Sequence, residues 1–242
     1  MDACRFDFRS SVVVVAGASG TLGRAVALAF AEAGASLVLV SRNADSVRAA
    51  LPELCAASTT LVAPSTDLNN PDATQAMVGK ALDRFGRIDV LANTVGGYRA
   101  GEPLQRTDLS DWDAMMALNA RTAFVVSRAV LPVMLDQGRG RIILTAARGA
   151  LQGKHHAAAY TASKAAVARL TESLADEVKH LGINVNCVLP GTIDTDSNRR
   201  ALPYTDTANW VPPQDIARVF LFLASEAASA IHGALIPAYG LS

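Results

Sequence analysis

A strand, a glycine loop and an apolar helix follow one another near the start of the chain, and this order constrains the fold more than any other feature. Residues 11–16, SVVVVA, form a continuous apolar run of strand length and mainly β-branched composition. Such a run is typical of a strand buried on both faces. The glycine loop 17–23, GASGTLG, comes next, and an apolar helical stretch follows over 24–33. The sequence therefore predicts an α/β fold.

The glycine loop has the context of a dinucleotide-binding turn. Gly17 permits a tight turn, Gly20 lets the backbone approach a pyrophosphate, and Gly23 allows close packing of the helix. The helix N-terminus offers N–H groups and the positive end of its dipole to the phosphates. An ordinary strand-to-helix turn is the alternative. The residues expected to contact a cofactor here are Gly17, Ser19, Gly20, Thr21, Leu22 and Gly23.

The end of the second predicted strand distinguishes between the two nicotinamide cofactors. Strand 36–40 is followed by Ser41, Arg42 and Asn43, without a carboxylate. Proteins that prefer NAD usually hold the ribose 2′-hydroxyl with an Asp or Glu there. A hydroxyl followed by a guanidinium suits a 2′-phosphate, because arginine donates paired hydrogen bonds to phosphate oxygens. We therefore predict NADP(H), although an arginine after a strand is also common on ordinary surfaces.

The rest of the chain alternates between strand and helix patterns. Further strands are predicted near 59–63, 88–92, 140–145, 183–188 and 232–237, and helices near 44–54, 71–85, 109–135, 157–181 and 213–225. This alternation predicts a single domain over 1–242, a doubly wound, parallel, seven-stranded sheet with helices on both faces. The stretch 192–212 has the weakest pattern. It is either a loop that closes over a substrate or a surface connection.

Tyr160 and Lys164 are four residues apart in a predicted helix, so both side chains lie on one face, one turn apart. A free tyrosine has a pKa near ~10 and exchanges protons poorly at neutral pH. A nearby ammonium group favours the phenolate and lowers that pKa. The pair therefore predicts general acid/base chemistry on a carbonyl or imine, although surface helices also carry this spacing by chance.

The order of these motifs resembles the short-chain dehydrogenase/reductase family from about Val12 to Tyr239. The resemblance implies a Rossmann-type fold and hydride transfer between the cofactor and a small-molecule substrate. It implies that Tyr160 is the general acid, that Lys164 lowers its pKa and holds the nicotinamide ribose, and that Asn119 anchors a water of the proton relay. The further cofactor contacts that it implies are Asp67, Leu68, Asn93, Pro190, Gly191, Ile193 and Thr195.

One catalytic residue of the family is missing. The family's serine usually lies thirteen residues before the tyrosine, where this chain has Ala147. Thr145 points to the same face of the predicted strand but sits deeper. The serine hydroxyl would be the second hydrogen-bond donor to the substrate oxygen, beside Tyr160. This chain either lacks that donor, replaces it with Arg148 or a group of the substrate, or acts on a substrate that does not need it. A conjugated imine or quinonoid ring is already electrophilic and would not need it.

Several details are similar to the branch of the family that contains dihydropteridine reductases. They are the spacing of the glycine loop, the segment 94–98 (TVGGY), and the segment 189–195 followed by Asn198 and Arg199. That branch typically keeps the tyrosine and lysine and lacks the serine. Its better-known members prefer NADH, which conflicts with Arg42, so the branch does not define the substrate.

A protein that binds NADP(H) without turnover, as a sensor or structural subunit, is the alternative function. Ala147 favours it, and the presence of Asn119, Tyr160 and Lys164 argues against it. Four charged or ionisable side chains flank the predicted strand ends or precede Tyr160, near the mouth of the predicted site. They are either substrate contacts or solvated loop residues, and we expect each of them to be a solvated loop residue. They are Arg99, Arg148, His155 and His156.

The composition excludes several classes of partner. Lys+Arg and Asp+Glu are both 22, so the net charge is zero and no basic stripe suggests nucleic acid. The four histidines lack metal-ligand spacing, and three widely spaced cysteines suit reduced cytosolic thiols. The N-terminus lacks a signal-peptide pattern, and the apolar runs are shorter than a membrane span. We therefore predict a cytoplasmic protein without nucleic-acid, metal or membrane partners.

The helical stretch 117–135 is apolar around most of its axis. A helix that is apolar on most sides is buried on most sides, and a sheet covers only one of them. The helix after Lys164 is rich in alanine, which allows close approach. We therefore expect a homo-oligomer, a dimer or a tetramer, with these helices at an interface.

Overall fold

Seven parallel strands form one sheet in the computed structural model, which describes residues 6–241. The strands are β1 (Val12–Ala16), β2 (Ser36–Val40), β3 (Thr60–Val62), β4 (Val90–Asn93), β5 (Gly140–Thr145), β6 (Ile183–Pro190) and β7 (Leu235–Ala238). Their order is β3-β2-β1-β4-β5-β6-β7, and every neighbouring pair is parallel. The predicted sheet is confirmed.

Helices connect the strands and cover both faces of the sheet. They are α1 (Thr21–Glu32), α2 (Ala44–Ala50), α3 (Pro52–Ala56), α4 (Pro71–Phe85), α5 (Leu109–Met115), α6 (Thr122–Gln137), α7 (Ala158–Val178), α8 (Asp196–Ala201) and α9 (Pro213–Ala224). Single 3₁₀ turns lie at Leu104–Arg106, Arg148–Ala150, Lys179–Leu181 and Glu226–Ala228. Because the strands are parallel, their carboxyl ends share one edge of the sheet, where α/β proteins bind ligands.

The central strand β1 supplies side chains to two separate cores, and all five of its residues are buried. Successive side chains of a strand point to opposite faces. Val14 packs with residues of α4, α6 and α7. Val15 packs on the other face with Phe30 of α1 and Phe220 of α9. The strand is therefore buried on both faces, as its apolar run predicts.

The single helix predicted over 44–54 is wrong, because the structure divides it at Pro52. Leu51 ends α2 with φ −138° and ψ 54°, outside the helical region. A residue that precedes proline avoids the helical conformation, because the proline ring clashes with its backbone. Pro52 then begins α3, where its missing N–H costs no hydrogen bond.

The stretch 192–212 contains a short helix, α8, that the sequence analysis did not predict. Thr195 caps it, since its hydroxyl oxygen accepts a hydrogen bond of 3.0 Å from the Asn198 N–H. Threonine and aspartate suggested a loop, but the same residues favour the first turn of a helix. Arg199 also pairs with Asp194 at 2.6 Å across this turn. The prediction of an irregular connection is therefore partly wrong.

The predicted helix 109–135 consists of α5, a π-helical turn at Met116–Arg121, and α6. Together they give a helix of 29 residues, which is long and apolar enough by length and composition to cross a membrane. Half of its most apolar window is buried inside the protein, so the structure uses it as a core helix. The π turn places Asn119 on the buried side of this helix.

Candidate functional site

The carboxyl ends of β1, β2 and β4 border a cleft of about 220 Å³. Seven predicted cofactor residues line it, namely Gly17, Ser19, Gly20, Ser41, Arg42, Asp67 and Leu68. The other lining residues are Thr66, Asn69, Thr94, Val95, Gly96, Leu118 and Thr122. The chain leaves β1 and β4 toward opposite sides of the sheet, which makes this crevice the usual ligand position of a doubly wound fold.

The glycine loop brings α1 very close to the end of β1. Gly17 has φ +85°, a left-handed conformation that favours glycine. A Cβ atom at Gly23 would lie 2.1 Å from the Gly17 carbonyl oxygen, so a side chain there would push the helix away. Of the other predicted loop contacts, Thr21 begins α1 and Leu22 is buried behind the loop. The N-terminus of α1 therefore points at the cleft.

Ser41 and Arg42 lie at the outer end of the cleft. The hydroxyls of Ser19 and Ser41 are hydrogen-bonded at 2.9 Å, which joins the glycine loop to the end of β2. Arg42 is exposed and lines the cleft. Asn43 lies outside the lining, because its side chain caps α2 by accepting hydrogen bonds from the N–H groups of Asp45 and Ser46. The predicted contact of Asn43 with the cofactor stays a prediction.

The segment 67–69 forms another wall of the cleft. The Asp67 carboxylate accepts a hydrogen bond of 2.9 Å from the Asn69 N–H, and Leu68 is buried. Asn69 Oδ1 is buried and has no hydrogen-bond partner among residues 6–241. A buried acceptor without a partner costs free energy until a donor reaches it. The amine of an adenine ring is such a donor, so this wall fits the predicted cofactor.

Asn93 and Thr145 fasten the ends of β4 and β5 to each other. The Thr145 hydroxyl donates to the Asn93 carbonyl oxygen at 2.7 Å. The Asn93 side chain accepts from the Val95 N–H at 3.2 Å and is buried outside the cleft lining. Asn93 therefore shapes the loop that lines the cleft, and the Thr145 hydroxyl is already used within the fold.

Tyr160 lies on the first turns of α7, and its ring packs against Tyr98. The ring centroids are 4.7 Å apart, with the planes at 77°. Burial, together with the neighbouring Tyr98, raises the pKa of Tyr160 to about 12. Tyr160 is therefore a neutral phenol over the physiological pH range, the form in which it carries a proton.

Lys164 is fully buried one turn further along α7. Its ammonium group donates to the Thr145 carbonyl oxygen at 3.1 Å. It also lies directly behind Gly96 of the cleft wall, where a Cβ atom would come within 2.7 Å of Lys164 Nζ. Burial lowers the pKa of Lys164 to about 8. Lys164 thus reaches the inner end of the cleft with a charge that titrates near neutrality.

The prediction that Lys164 lowers the pKa of Tyr160 is wrong for this structure. The pKa of Tyr160 is raised, and burial followed by Tyr98 is the cause. The ammonium group of Lys164 points toward the end of β5, where it meets Thr145. The sequence analysis lacked the position of Tyr98, because this residue comes from a loop distant in sequence.

Asn119 connects three parts of the site from its place in the π turn. Its Oδ1 accepts from the Gly97 N–H at 2.9 Å, and its amide group donates to the Gly97 carbonyl at 3.1 Å. The amide also donates to the Ser163 hydroxyl on α7 at 2.9 Å. Asn119 therefore holds the loop that carries Tyr98 against the helix that carries Tyr160.

Ala147 follows the end of β5 in extended conformation and is 9% exposed. The assignment of Ala147 to the position of the family's serine stays a prediction. The Arg148 guanidinium stacks over the ring of Tyr239 at 4.2 Å. Arg148 therefore has a packing role at the C-terminal end of the described chain.

The other charged residues of the predicted mouth make contacts with their own surroundings. Arg99 forms an ion pair with Asp111 of α5. The rings of His155 and His156 meet edge-on at 5.2 Å, and the His156 carbonyl accepts a hydrogen bond from Gly101. These contacts support the interpretation of solvated loop residues rather than substrate ligands.

The segment 190–195 lies at the carboxyl end of β6, outside the lining of the cleft. Pro190 pairs with Ala238 of β7, and Ile193 forms an isolated bridge with Val211. Thr195 caps α8. The predicted contacts of Pro190, Gly191, Ile193 and Thr195 with the cofactor stay predictions. The same edge of the sheet nevertheless carries this segment and the glycine loop.

The sequence analysis missed several residues of the site. Asn69, Val95 and Gly96 line the cleft beside predicted residues, and adjacency to Leu68 and Asn93 was the signal that could have found them. Tyr98 was noted only as part of TVGGY. Among residues 6–241, no group of three or more His, Cys, Asp or Glu side chains could hold a metal ion.

Comparison with known proteins agrees with the fold. A protein-family model described as short chain dehydrogenase matches residues 11–204. The chain is 34% identical over 236 residues to the BbsD subunit of (2S)-[(R)-hydroxy(phenyl)methyl]succinyl-CoA dehydrogenase from Thauera aromatica, covering 94% of each. It is also 34% identical over 227 residues to a 3-oxoacyl-[acyl-carrier-protein] reductase from Synechocystis sp., covering 91% of this chain and 92% of the relative.

Solved structures share the same architecture. A structure described as ribose-5-phosphate isomerase from Brucella melitensis 16M superposes with a TM-score of 0.88 and 28% identity, covering 97% of this chain and 92% of that one. ElxO with NADP bound superposes with a TM-score of 0.87 and 22% identity, covering 95% of this chain and 97% of that one. Both likenesses extend over nearly the whole chain.

Proposed function

The chain belongs to the short-chain dehydrogenase family and is an oxidoreductase of that family, and we propose that it transfers hydride from NADPH to a small molecule. The acceptor that we propose is a carbonyl, conjugated imine or quinonoid carbon, with Tyr160 as the general acid. The observation that carries the proposal is the buried Lys164 ammonium group directly behind Gly96 of a cleft whose lining also carries Arg42, with Tyr160 one turn away from Lys164 on the same helix.

The residues of the cleft fit NADPH along its length. Asn69 Oδ1 would accept from the adenine amine, Ser41 and Arg42 would hold the 2′-phosphate, and the N-terminus of α1 would face the pyrophosphate. Lys164 would hold the nicotinamide ribose behind Gly96. When bound, this cofactor supplies the hydride for the electrophilic carbon of the substrate.

Tyr160 provides the proton that accompanies the hydride. A neutral phenol with a raised pKa keeps its proton until the substrate oxygen or nitrogen gains negative charge. Lys164 is not among the causes that set the pKa of Tyr160, so we assign Lys164 to the nicotinamide ribose rather than to the proton transfer. Asn119 acts as a positioning residue, because its side chain is bonded to Gly97 and Ser163.

Two observations bear on the class of substrate. The relative from Thauera aromatica is named for a hydroxyl-bearing carbon next to a phenyl ring, and the Synechocystis relative for a 3-oxo group. Ala147 leaves the site without the serine hydroxyl, which suits an acceptor that is already electrophilic. We therefore propose an oxo group conjugated to an unsaturated ring, or a related imine, which also accommodates the resemblance to dihydropteridine reductases.

A spectrophotometric panel tests the proposed function. Purified protein with NADPH is offered aryl ketones, quinones, cyclic imines and pterins, and the loss of absorbance of the reduced cofactor is measured. We expect substrate-dependent oxidation with at least one conjugated acceptor. Tight NADPH binding without turnover across the panel would instead support the alternative of a cofactor-binding sensor or structural subunit, which Ala147 favours.

The pH dependence of the reaction should follow Lys164. Its pKa is lowered to about 8, so its positive charge is present below that pH and is lost as the pH rises through it. We expect kcat/KM for NADPH, which reports the free enzyme, to fall above about pH 8. Burial raises the pKa of the neighbouring Cys187 to about 11, so this thiol does not titrate there.

Lys164→Arg is the matched variant for this prediction, because a guanidinium stays charged throughout the range. Relative to its own maximum, the residual activity of the variant should stay level through pH 8. If kcat/KM of Lys164→Arg also falls above about pH 8, the group that titrates there is not Lys164.

We also propose that the protein is a homo-oligomer. The long helix exposes large apolar side chains, with Phe124 at 54% and Leu135 at 39% exposure. Sedimentation velocity at micromolar concentration should show a species heavier than the 25.3 kDa chain. Phe124→Arg should shift it toward the monomer, while Leu28→Arg, an exposed position on α1 at the other face of the sheet, should not. A single 25 kDa species of the unmodified protein would contradict the proposal.

A further inference from the structure

Tyr98 places a second phenol beside Tyr160. Its ring lies 4.7 Å from that of Tyr160, and the residue is 65% exposed, so a ligand can reach it from solvent. We propose that the Tyr98 hydroxyl donates the second hydrogen bond to the substrate oxygen, the bond for which Ala147 offers no donor. This inference rests on the proposed function, since it requires a substrate oxygen at Tyr160.

The glycine pair before Tyr98 explains how the ring reaches this place. A Cβ atom at Gly96 would lie 2.7 Å from Lys164 Nζ, and one at Gly97 would lie 2.5 Å from a methyl group of Leu118. A side chain at either position would displace Lys164 Nζ or the Leu118 methyl group, so glycine lets the backbone lie this close to α7 and the π turn. Asn119 then fixes Gly97 through both its N–H and its carbonyl. The position of Tyr98 is therefore set by buried contacts, although its side chain is exposed.

The other hydroxyls around the site already donate within the fold. Thr145 donates to the Asn93 carbonyl at 2.7 Å, and Thr161 donates to the Ala157 carbonyl at 3.0 Å. Ser163 donates to the Tyr160 carbonyl at 2.7 Å. Thr94 donates to the Ala16 carbonyl at 2.7 Å. Within residues 6–241, the Tyr98 hydroxyl makes no hydrogen bond, so it is available to a ligand.

The two phenols have different roles, because only Tyr160 gives up a proton. The substrate carbon gains hydride from the bound cofactor, and the Tyr160 proton passes to the oxygen. Tyr98 keeps its proton throughout and only donates a hydrogen bond to the developing negative charge. Burial, followed by the neighbouring Tyr98, raises the pKa of Tyr160 to about 12, which keeps the Tyr160 phenol protonated and able to donate at neutral pH.

Tyr98→Phe tests the inference, because it keeps the ring and removes only the hydroxyl. On the best ketone of the panel, we expect kcat to fall about 10- to 100-fold, somewhat less than in enclosed oxyanion sites because Tyr98 is partly exposed. The Kd for NADPH should not change. Ala147→Ser is then made in two backgrounds, Tyr98→Phe and the unmodified protein. We expect it to raise kcat by a larger factor in Tyr98→Phe, because the two hydroxyls would donate to the same substrate oxygen.

Each outcome decides the question. If Tyr98→Phe keeps full kcat while Tyr98→Ala raises KM, only the ring contacts substrate and the inference is wrong. If Tyr98→Phe is fully active while Tyr160→Phe is inactive, the proposed function stands and the role of Tyr98 falls. If Ala147→Ser has equal effects with and without the Tyr98 hydroxyl, the two groups act independently, which also overturns the inference. Absence of turnover in the unmodified protein overturns both.

Discussion

Replacing Tyr160 with phenylalanine should lower kcat by about 10²–10⁴-fold, the range that general acid catalysis supplies. The variant loses the only proton donor that we assign to the substrate oxygen. Its ring still packs against Tyr98 at the same position, so the shape of the site is kept. The affinity for NADPH should stay within about twofold, because the proposed cofactor contacts do not include the phenol. Fluorescence titration and single-turnover kinetics measure the two quantities separately.

Ser173→Ala is the control for this experiment. It removes an exposed hydroxyl from α7, the same helix, away from the cleft. Its kcat should equal that of the unmodified protein. A Tyr160→Phe variant that keeps full activity would show that the proton comes from another group, such as water held at the mouth.

Arg42→Ala should weaken binding of NADPH by about 10- to 100-fold and leave NADH almost unaffected. Only NADPH carries the 2′-phosphate, and the exposed guanidinium at the edge of the cleft is the group that would pair with it. The difference should shrink as salt is added, because exposed charges are screened. Isothermal titration with both cofactors at low and moderate ionic strength measures this.

Arg48→Ala is the matched control for Arg42. Arg48 is an exposed arginine on α2 that pairs with Asp45 at 3.2 Å and lies outside the lining of the cleft. It should change neither affinity. Equal affinity of the unmodified protein for NADPH and NADH would falsify the assignment of the cofactor.

The fold could be predicted from the sequence because its signals are local and repeated. The run of valines in β1, the spacing of Gly17, Gly20 and Gly23, and the alternation of strand and helix patterns each depend on neighbouring residues. Parallel strands separated by helices leave few arrangements. The order of the motifs then placed the glycine loop, Asn119 and α7 around the same edge of the sheet.

The electrostatics of the site could not be predicted, because they depend on contacts between distant segments. Spacing alone suggested that Lys164 governs the pKa of Tyr160. In the structure, burial and Tyr98 govern the pKa of Tyr160, and Lys164 meets the Thr145 carbonyl. The role of Asn43 could not be predicted either. An asparagine after a strand can bind a cofactor or cap the next helix, and the sequence does not distinguish the two; in the structure, Asn43 caps α2.

Transfer of deuterium tests the central claim most directly. The protein is supplied with NADPH that carries deuterium on one face of C4, and in parallel with the opposite label, together with the best acceptor of the panel. Mass spectrometry of the product should show one deuterium on the reduced carbon with one of the two labels and none with the other, because an enclosed site presents a single face. Product without deuterium from either label, or bound cofactor without product, would contradict the account.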